Sequence, residues 1–342
     1  MTRIYLIRHA EAEGNLFRVA HGQFDSTITP QGYRQLAFLR ERFREIPIDA
    51  VYGSDLTRTR TTASAVYGPK NLAFHPMPLL REVCLGPWEQ MTWGEIQEQY
   101  PEMYQNFNRR PDLWHLPGAE DLDVVQQRLL QAVKQIAAEN PGKTVAATSH
   151  GAALRSFLGM LQGKSLAEIG STPHGDNTAV SLLEVKGDQI RVVFRDDASH
   201  IPSPLSTFGR QTWHKRDTAI EPGLRFQWEP TERGWHVSAY LEEKRVGFLS
   251  MFLEDSALRL RSMEILPAHR GHGYGVQLLG QAYKLCRKEG RERIAITCPQ
   301  DMVAYFAKYA FPTEITAADG QASLQLDLSR QIREIPPVPA SV

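Results

Sequence analysis

The chain has 342 residues with 39 basic and 39 acidic side chains, and its composition is ordinary for a globular protein. The balanced charge argues against a general nucleic-acid or membrane-surface binder, since both functions favour a basic excess. The three cysteines form no C-x-x-C pair, and no apolar run approaches the roughly 18 residues of a membrane span. We therefore expect a cytoplasmic protein of about two domains, with neither nucleic acid nor membrane as a partner.

The first 202 residues alternate between strand and helix patterns. Strands are predicted at 3–7, 49–52 and 144–149. Helices are predicted at 30–46, 58–66, 122–136 and 152–161. Thr29 and Pro30 have the residue types of an N-cap and a first helical position, which mark the start of the first helix. The alternation predicts a mainly parallel sheet with helices on both faces, and such sheets bind ligands at the carboxyl ends of their strands.

The pattern changes after residue 202. Residues 203–224 are rich in proline and in small or polar side chains, which predicts a linker, and 331–342 are predicted to be a flexible tail. Between them, strands are predicted at 236–240, 246–253, 257–266, 293–298 and 322–328, and helices at 276–289 and 301–309. A second domain is therefore predicted over 225–330.

A group of short motifs begins where the first predicted strand ends. In order, they read RHAEAEGN (8–15), GSDLTRTRTTA (53–63), LREVCLGPWEQ (80–90), PGAED (117–121) and TSHGA (148–152). This series resembles the histidine phosphatase superfamily, and the segment around Trp88 resembles its phosphatase branch. The resemblance implies a phosphoglycerate-mutase-like α/β/α domain of three layers over residues 1–202. Ala10 and Gln90 depart from the pattern, because the family usually has glycine at both positions.

The residue types in these motifs suit the transfer of a phosphoryl group. A phosphomonoester is a dianion, and catalysis of its cleavage is mostly positioning and charge stabilisation. Two guanidiniums, Arg8 and Arg58, can bind its oxygens in a forked geometry, although Arg60 competes with Arg58 for that role. A neutral imidazole of His9 would attack phosphorus and form a phosphohistidine. Because cationic side chains neutralise the phosphate, no metal and no other cofactor is expected in this domain.

Further roles follow from the resemblance. It implies that His150 completes the catalytic set, that Asn15 and Gly151 bind phosphate, and that Glu82 is the general acid. The segment 92–122 is expected to form a lid that sets specificity. Its polar and aromatic candidates are either substrate contacts or solvated lid residues, and they are Arg109, Arg110, Trp114 and His115. The expected partner is a small phosphorylated metabolite, and a homodimer stays open.

The second domain carries a glycine-rich turn between a strand and a helix. Residues 263–280 read MEILPAHRGHGYGVQLLG, in which exposed N–H groups at a helix start could bind phosphate. The segment resembles motif A of the GNAT acyltransferases, which implies an α+β domain that binds the pyrophosphate of acetyl-CoA. The cofactor-binding residues implied in this way are Ile265, Arg270, Gly271, Gly273 and Gly275.

Whether this domain catalyses acyl transfer is a separate question. GNAT enzymes often use a tyrosine of the later helix as general acid, and Phe306 stands at that position here. We expect hydrolysis of a small phosphomonoester as the main activity. The alternatives are a bifunctional protein whose main activity is N-acetyl transfer, and a phosphatase regulated by CoA binding.

Overall fold

The computed structural model describes residues 1–211, 222–311, 313–316 and 321–339. Strands lie at β1 (Thr2–Arg8), β2 (Ala50–Gly53), β3 (Phe74–Pro76), β4 (Thr144–Ser149), β5 (Val180–Lys186), β6 (Gln189–Asp197), β7 (Arg225–Pro230), β8 (Gly234–Leu241), β9 (Lys244–Leu253), β10 (Leu258–Ile265), β11 (Arg293–Pro299), β12 (Thr313–Thr316) and β13 (Gln321–Asp327). Helices lie at α1 (Glu13–Phe17), α2 (Pro30–Arg42), α3 (Thr57–Tyr67), α4 (Trp93–Gln99), α5 (Pro101–Arg109), α6 (Leu122–Glu139), α7 (Gly151–Leu161), α8 (Leu166–Ile169), α9 (Thr207–Arg210), α10 (Tyr274–Lys288) and α11 (Val303–Ala307).

The first sheet has the strand order β3-β2-β4-β1-β5-β6 within the described residues. Strands β1 to β4 are parallel, as predicted, whereas β5 and β6 add an antiparallel edge that the sequence pattern did not reveal. Helices α2 and α3 pack apolar side chains on one face, and α6 and α7 cover the other. The predicted α/β class with helices on both faces is therefore confirmed.

Helix α2, the first helix that the sequence predicted, shows how the local sequence determines where a helix begins. The Thr29 hydroxyl accepts a hydrogen bond from the Gly32 amide at 3.0 Å, and Pro30 opens the helix, as predicted. The helix ends at Arg42, before the predicted end at residue 46. Pro47 follows, and the residue before a proline is held away from helical backbone.

The second sheet has the order β12-β13-β11-β10-β9-β8-β7 within the described residues, and α10 packs on one face of it. Strands β10 and β11 are parallel neighbours, whereas the remaining pairs are antiparallel. The predicted α+β class is confirmed. Strand β7 was not predicted. The two-residue turn between β8 and β9 is a stronger hairpin signal than the loop between β7 and β8.

Two segments outside the predicted domains make specific contacts with the first one. In residues 203–211, Leu205 is buried and its carbonyl accepts a hydrogen bond from Gln35 at 2.8 Å. In the described part of the predicted tail, Ile335 is buried and its carbonyl accepts a hydrogen bond from Arg40 at 3.1 Å. The predicted domain boundaries themselves stay a prediction. Residues 212–221 and 340–342 lie outside the described residues.

The three cysteines are free thiols, and two of them are buried. No helix among the described residues is both long and apolar enough to cross a membrane.

Candidate active site

Parallel pairing of β1 and β4 places the two motif histidines side by side. Arg8 is the register partner of Ser149, so His9 and His150 each stand one residue beyond the end of neighbouring strands. Their ring centroids are 5.4 Å apart. His9 lines a pocket at the sheet edge where the alternating pattern predicted ligand binding, and His150 lies beside His9. The pocket is lined by Arg8, His9, Gly14, Asn15, Arg18, Val19, His21, Gly22, Arg58, Glu82, Val83, Leu85, Trp93, Tyr104, Phe107, Asn108, Gly151, Ala152, His174, Phe208 and Gln211.

The environment of His9 fixes its tautomer. Its Nδ1 lies 2.7 Å from the carbonyl oxygen of Ala10, which can only accept, so Nδ1 carries the proton. Burial, with the positive charges of Arg58 and Arg8, lowers the pKa of His9 well below its ordinary 6.5. Because its pKa is lowered, the imidazole of His9 is not protonated further at neutral pH. At neutral pH, Nε2 of His9 therefore has a free lone pair.

Arg58 is a fully buried cation whose donors are shared among backbone and ring acceptors. Its Nη1 donates to the Phe24 carbonyl at 2.9 Å and its Nη2 to the Gly22 carbonyl at 2.6 Å. Its Nε donates to Nδ1 of His150 at 3.2 Å. A guanidinium has five N–H donors, so these bonds orient it and leave donors for a ligand. Arg60, the competing candidate, is exposed and does not line the pocket.

The contact from Arg58 also settles the state of His150. Since arginine only donates, Nδ1 of His150 is the acceptor and Nε2 carries the proton. Burial, with the charge of Arg58, lowers the pKa of His150 well below 6.5, so the ring is neutral. Its Nε2–H is buried and has no hydrogen-bond partner in the described part of the chain.

Arg8 also lines the pocket. Its Nη1 donates to the Gly175 carbonyl, and its Nε is buried without a hydrogen-bond partner among the described residues. A Cβ at Gly151 would lie 3.1 Å from that Nε, so glycine there lets the guanidinium come close to the start of α7. Arg8 and His150 thus each have a buried N–H donor that pairs with none of the described residues.

Glu82 lies in the pocket at the N-terminus of α7. Its Oε1 accepts hydrogen bonds from the amides of Ala153 at 2.8 Å and Val83 at 3.0 Å, and its Oε2 accepts one from Ala152 at 3.1 Å. These hydrogen bonds hold the Glu82 side chain beside the predicted phosphate-binding set of Arg8, His9, Asn15, Arg58 and His150, called the cage below. Asn15 accepts from the Ala12 amide through its side-chain oxygen, which leaves its NH₂ group to donate.

The structure adds pocket residues that the motifs did not reveal. His21 lines the pocket, its Nδ1 lies 2.8 Å from the Ser26 hydroxyl and its Nε2 is buried without a partner among the described residues. Phe208 lies beside Arg8, whose guanidinium carbon is 5.4 Å from the ring centroid. Gln211 donates to the Asn15 carbonyl at 2.8 Å. Phe208 and Gln211 fall in the predicted linker, which carries no catalytic motif.

The lid residues that reach the pocket differ from the predicted candidates. Trp93, Tyr104 and Phe107 form an aromatic wall, with ring centroids 5.9 and 6.1 Å from Trp93. The four predicted candidates do not line the pocket: Arg109, Arg110, Trp114 and His115. Trp114 is buried in the core, and His115 is exposed beside Asp121.

One departure from the family pattern has a visible backbone cost. Gln90 has a φ of +70°, in the left-handed region that favours glycine, which is the usual residue there in the phosphatase branch. The conformation is held by the hydrogen bond from the Gln90 amide to the Ala20 carbonyl at 2.7 Å. Trp88, which precedes it, is fully buried and belongs to the core.

The glycine-rich turn of the second domain opens α10 as predicted. Gly273 is the N-cap with a φ of +85°, and Gly271 has a φ of +80°. A Cβ at either position would have no atom within 4 Å among the described residues, so the turn faces open space. The helix start has no side-chain cap, and its first N–H groups can reach an anion. Nε of Arg270 donates to the Ile265 carbonyl at 3.0 Å, which closes the end of β10.

The later helix of this domain carries a tyrosine beside the glycine-rich turn. The hydroxyl of Tyr305 lies 2.3 Å from where a Cβ of Gly275 would stand. The tyrosine therefore reaches the turn, and glycine at 275 makes room for it. Phe306 is buried in the core against Phe311. Residue 306 is thus a packing position, whereas Tyr305 of the same helix faces the predicted CoA turn.

The chain belongs to the histidine phosphatase superfamily, branch 1, whose family model matches residues 4–198. A second family model, the GNAT acetyltransferase family, matches residues 202–311. The protein is therefore a histidine phosphatase domain followed by a GNAT domain, as the motifs indicated.

Several known proteins are similar to the first of these domains. A metal-independent phosphoserine phosphatase from Arabidopsis thaliana is 29% identical over 211 residues, which are 59% of this chain and 84% of the relative. A putative phosphoserine phosphatase 2 from Hydrogenobacter thermophilus is 24% identical and covers 58% of this chain and 98% of the relative. The solved structure of YhfR from Bacillus stearothermophilus is 32% identical, with a TM-score of 0.57 over 59% of this chain and 100% of its own.

Proposed function

We propose that the first domain hydrolyses a small phosphomonoester without a metal, through a phosphohistidine at His9. One observation carries this proposal. Two buried N–H donors, on Arg8 and His150, have no partner among the described residues and lie near the His9 imidazole, whose Nε2 is unprotonated. Leaving buried donors unpaired costs free energy, and such groups usually have a partner. A phosphate dianion beside His9 would pair with both of them.

The chemistry follows from these positions. Nε2 of His9 attacks phosphorus while Arg8 and Arg58 bind the equatorial oxygens, and Asn15 and the Gly151 amide add donors. The ester P–O bond breaks as the P–N bond forms, and Glu82 gives a proton to the leaving alkoxide. Glu82 then removes a proton from a water molecule. That water attacks the phosphohistidine, releases phosphate and restores His9.

The substrate is proposed to be a small phosphorylated metabolite. Phosphoserine is the first compound to test, because two of the similar proteins bear the name phosphoserine phosphatase. The aromatic wall of Trp93, Tyr104 and Phe107 also favours an apolar or ring-containing group beside the phosphate. The cytoplasmic location and a homodimer stay predictions.

His9→Ala should lower the hydrolysis of 4-nitrophenyl phosphate by at least about 10³-fold, because the nucleophile is lost and no other group replaces it. His115→Ala is the matched control, since that ring is exposed and outside the pocket, and it should retain wild-type kcat/KM. Steady-state release of phosphate measures both. Turnover of His9→Ala near the wild-type rate would show that the nucleophile is misassigned.

Glu82→Gln should slow substrates with poor leaving groups far more than those with good ones. An alkoxide needs the proton in the transition state, so hydrolysis of an alkyl phosphate should fall about 100-fold or more. A nitrophenolate leaves without much help, so its ester should lose much less. The kcat for a series of aryl and alkyl phosphates measures this difference. An equal loss across the series would remove Glu82 as the acid.

A second candidate function belongs to the GNAT domain, which we propose binds acetyl-CoA at the 271–275 turn. The open turn and the uncapped start of α10 support an anion site for the pyrophosphate. Tyr305 would be the proton donor of an acyl transfer, since its hydroxyl reaches the turn at Gly275. When bound, acetyl-CoA would supply the acyl group. The acceptor amine is not assigned.

Gly273→Asp and Gly273→Asn form a matched pair for this site. Asparagine and aspartate have the same shape and both tolerate left-handed backbone, so the φ of +85° affects them equally. The added carboxylate should repel the pyrophosphate, and we expect binding of acetyl-CoA to fall about tenfold further in Gly273→Asp than in Gly273→Asn. Calorimetry on the full chain measures both. Equal affinities, or no binding by the wild type, would contradict the site.

A further inference from the structure

The GNAT domain docks against the phosphatase domain along one side of α10. A Cβ at Gly280 would lie 3.0 Å from the Phe17 carbonyl oxygen, so the helix backbone approaches α1 closely. Side chains on either side of this point make specific bonds. Oε1 of Gln277 accepts from the Gly94 amide at 2.9 Å, and Nε2 of Gln281 donates to Glu95 at 2.8 Å. Residues of α1 and of the second sheet belong to one continuous apolar cluster.

A buried ion pair lies at the last turn of this helix. Nη2 of Arg287 lies 2.5 Å from Oε1 of Glu13, and their side chains are 7% and 3% exposed. The Tyr283 hydroxyl donates to Oε2 of Glu13 at 2.9 Å. From the phosphatase side, the Thr27 hydroxyl donates to Oε1 at 2.7 Å and the Thr27 amide to Oε2 at 3.2 Å. Donors from both domains therefore surround the Glu13 carboxylate.

Glu13 and Thr27 are the two ends of a segment, 13–27, that forms one side of the active site. The segment supplies pocket-lining residues, including Asn15 and His21. It also supplies the Gly22 and Phe24 carbonyls that orient the guanidinium of Arg58. The bonds from Thr27 to Glu13 close this segment at its base, so the geometry of the cage depends on where the Glu13 carboxylate is held.

We propose that Arg287 and Tyr283 of the GNAT domain are positioning residues for the phosphatase. They fix the carboxylate of Glu13, which holds the 13–27 segment closed and so orients Arg58 and Asn15 toward the phosphate. The inference rests on the proposed phosphatase function. Without Arg287, the Glu13 charge would be buried beside apolar groups, and the segment would open to hydrate it. Phosphatase activity therefore depends on the second domain through this contact.

The test uses the full chain with Arg287→Met, Arg287→Lys and Lys288→Met. Arg287→Met should lower kcat/KM for 4-nitrophenyl phosphate by up to about 100-fold, since small misplacements of catalytic groups have effects of this size. It should also weaken binding of inorganic phosphate, measured by calorimetry, which needs no turnover. Arg287→Lys keeps the charge and should recover much of both quantities. Lys288→Met changes a neighbouring exposed side chain and should match the wild type.

Circular dichroism and thermal melting identify variants that have lost the fold. If Arg287→Met does not fold, Tyr283→Phe tests the positioning role instead. This variant removes only one hydroxyl, and it should still lower kcat/KM severalfold and weaken phosphate binding. A folded Arg287→Met, or failing that Tyr283→Phe, with wild-type kcat/KM and phosphate affinity would overturn the proposal and leave the ion pair as a domain contact only.

Different results would refute the proposed phosphatase function without refuting the positioning role. A wild type that binds phosphate but hydrolyses no ester would refute catalysis, whereas the phosphate affinities of the variants would still decide the positioning role. A wild type that neither binds phosphate nor hydrolyses an ester would overturn both, because there would be no cage to position.

Discussion

The buried guanidinium of Arg58 is the constraint on which the rest of the site depends. A cation without solvent needs acceptors, and it finds them in the Gly22 and Phe24 carbonyls and in Nδ1 of His150. These contacts fix the 13–27 segment, the tautomer of His150 and the direction of the remaining N–H groups at once. The same positive charge helps keep His9 neutral, which is the state that a nucleophile requires.

The two domains form one structural unit around this site. The buried Glu13 carboxylate accepts hydrogen bonds from donors of both domains. Separating the domains would therefore leave a buried charge unpaired. The helix that makes this contact is the one whose other end opens at the predicted CoA turn. A single rigid element therefore joins the proposed acyl-donor site to the base of the phosphatase pocket.

The sequence predicted the parts of this arrangement that are coded locally. Thr29 and Pro30 marked a helix start, and His9 and Arg58 lie inside contiguous motifs. The antiparallel β5 was missed because it is buried and lacks the alternation that indicates a half-exposed strand, and β6 was missed although its first five residues alternate in exposure. Phe208 and Gln211 join the pocket from a stretch without motifs. The Glu13–Arg287 pair joins residues 274 positions apart, and no local pattern signals such a contact.

In the proposed mechanism the phosphoryl group resides on His9 during turnover. The most direct measurement is to stop the wild-type protein with alkali during steady-state hydrolysis, which preserves phosphohistidine, and to locate bound phosphate by peptide mass spectrometry. We expect phosphate on the peptide that contains His9, and we expect brief acid treatment to remove it. Rapid hydrolysis with no phosphate on the protein, or with phosphate on a different residue, would contradict it.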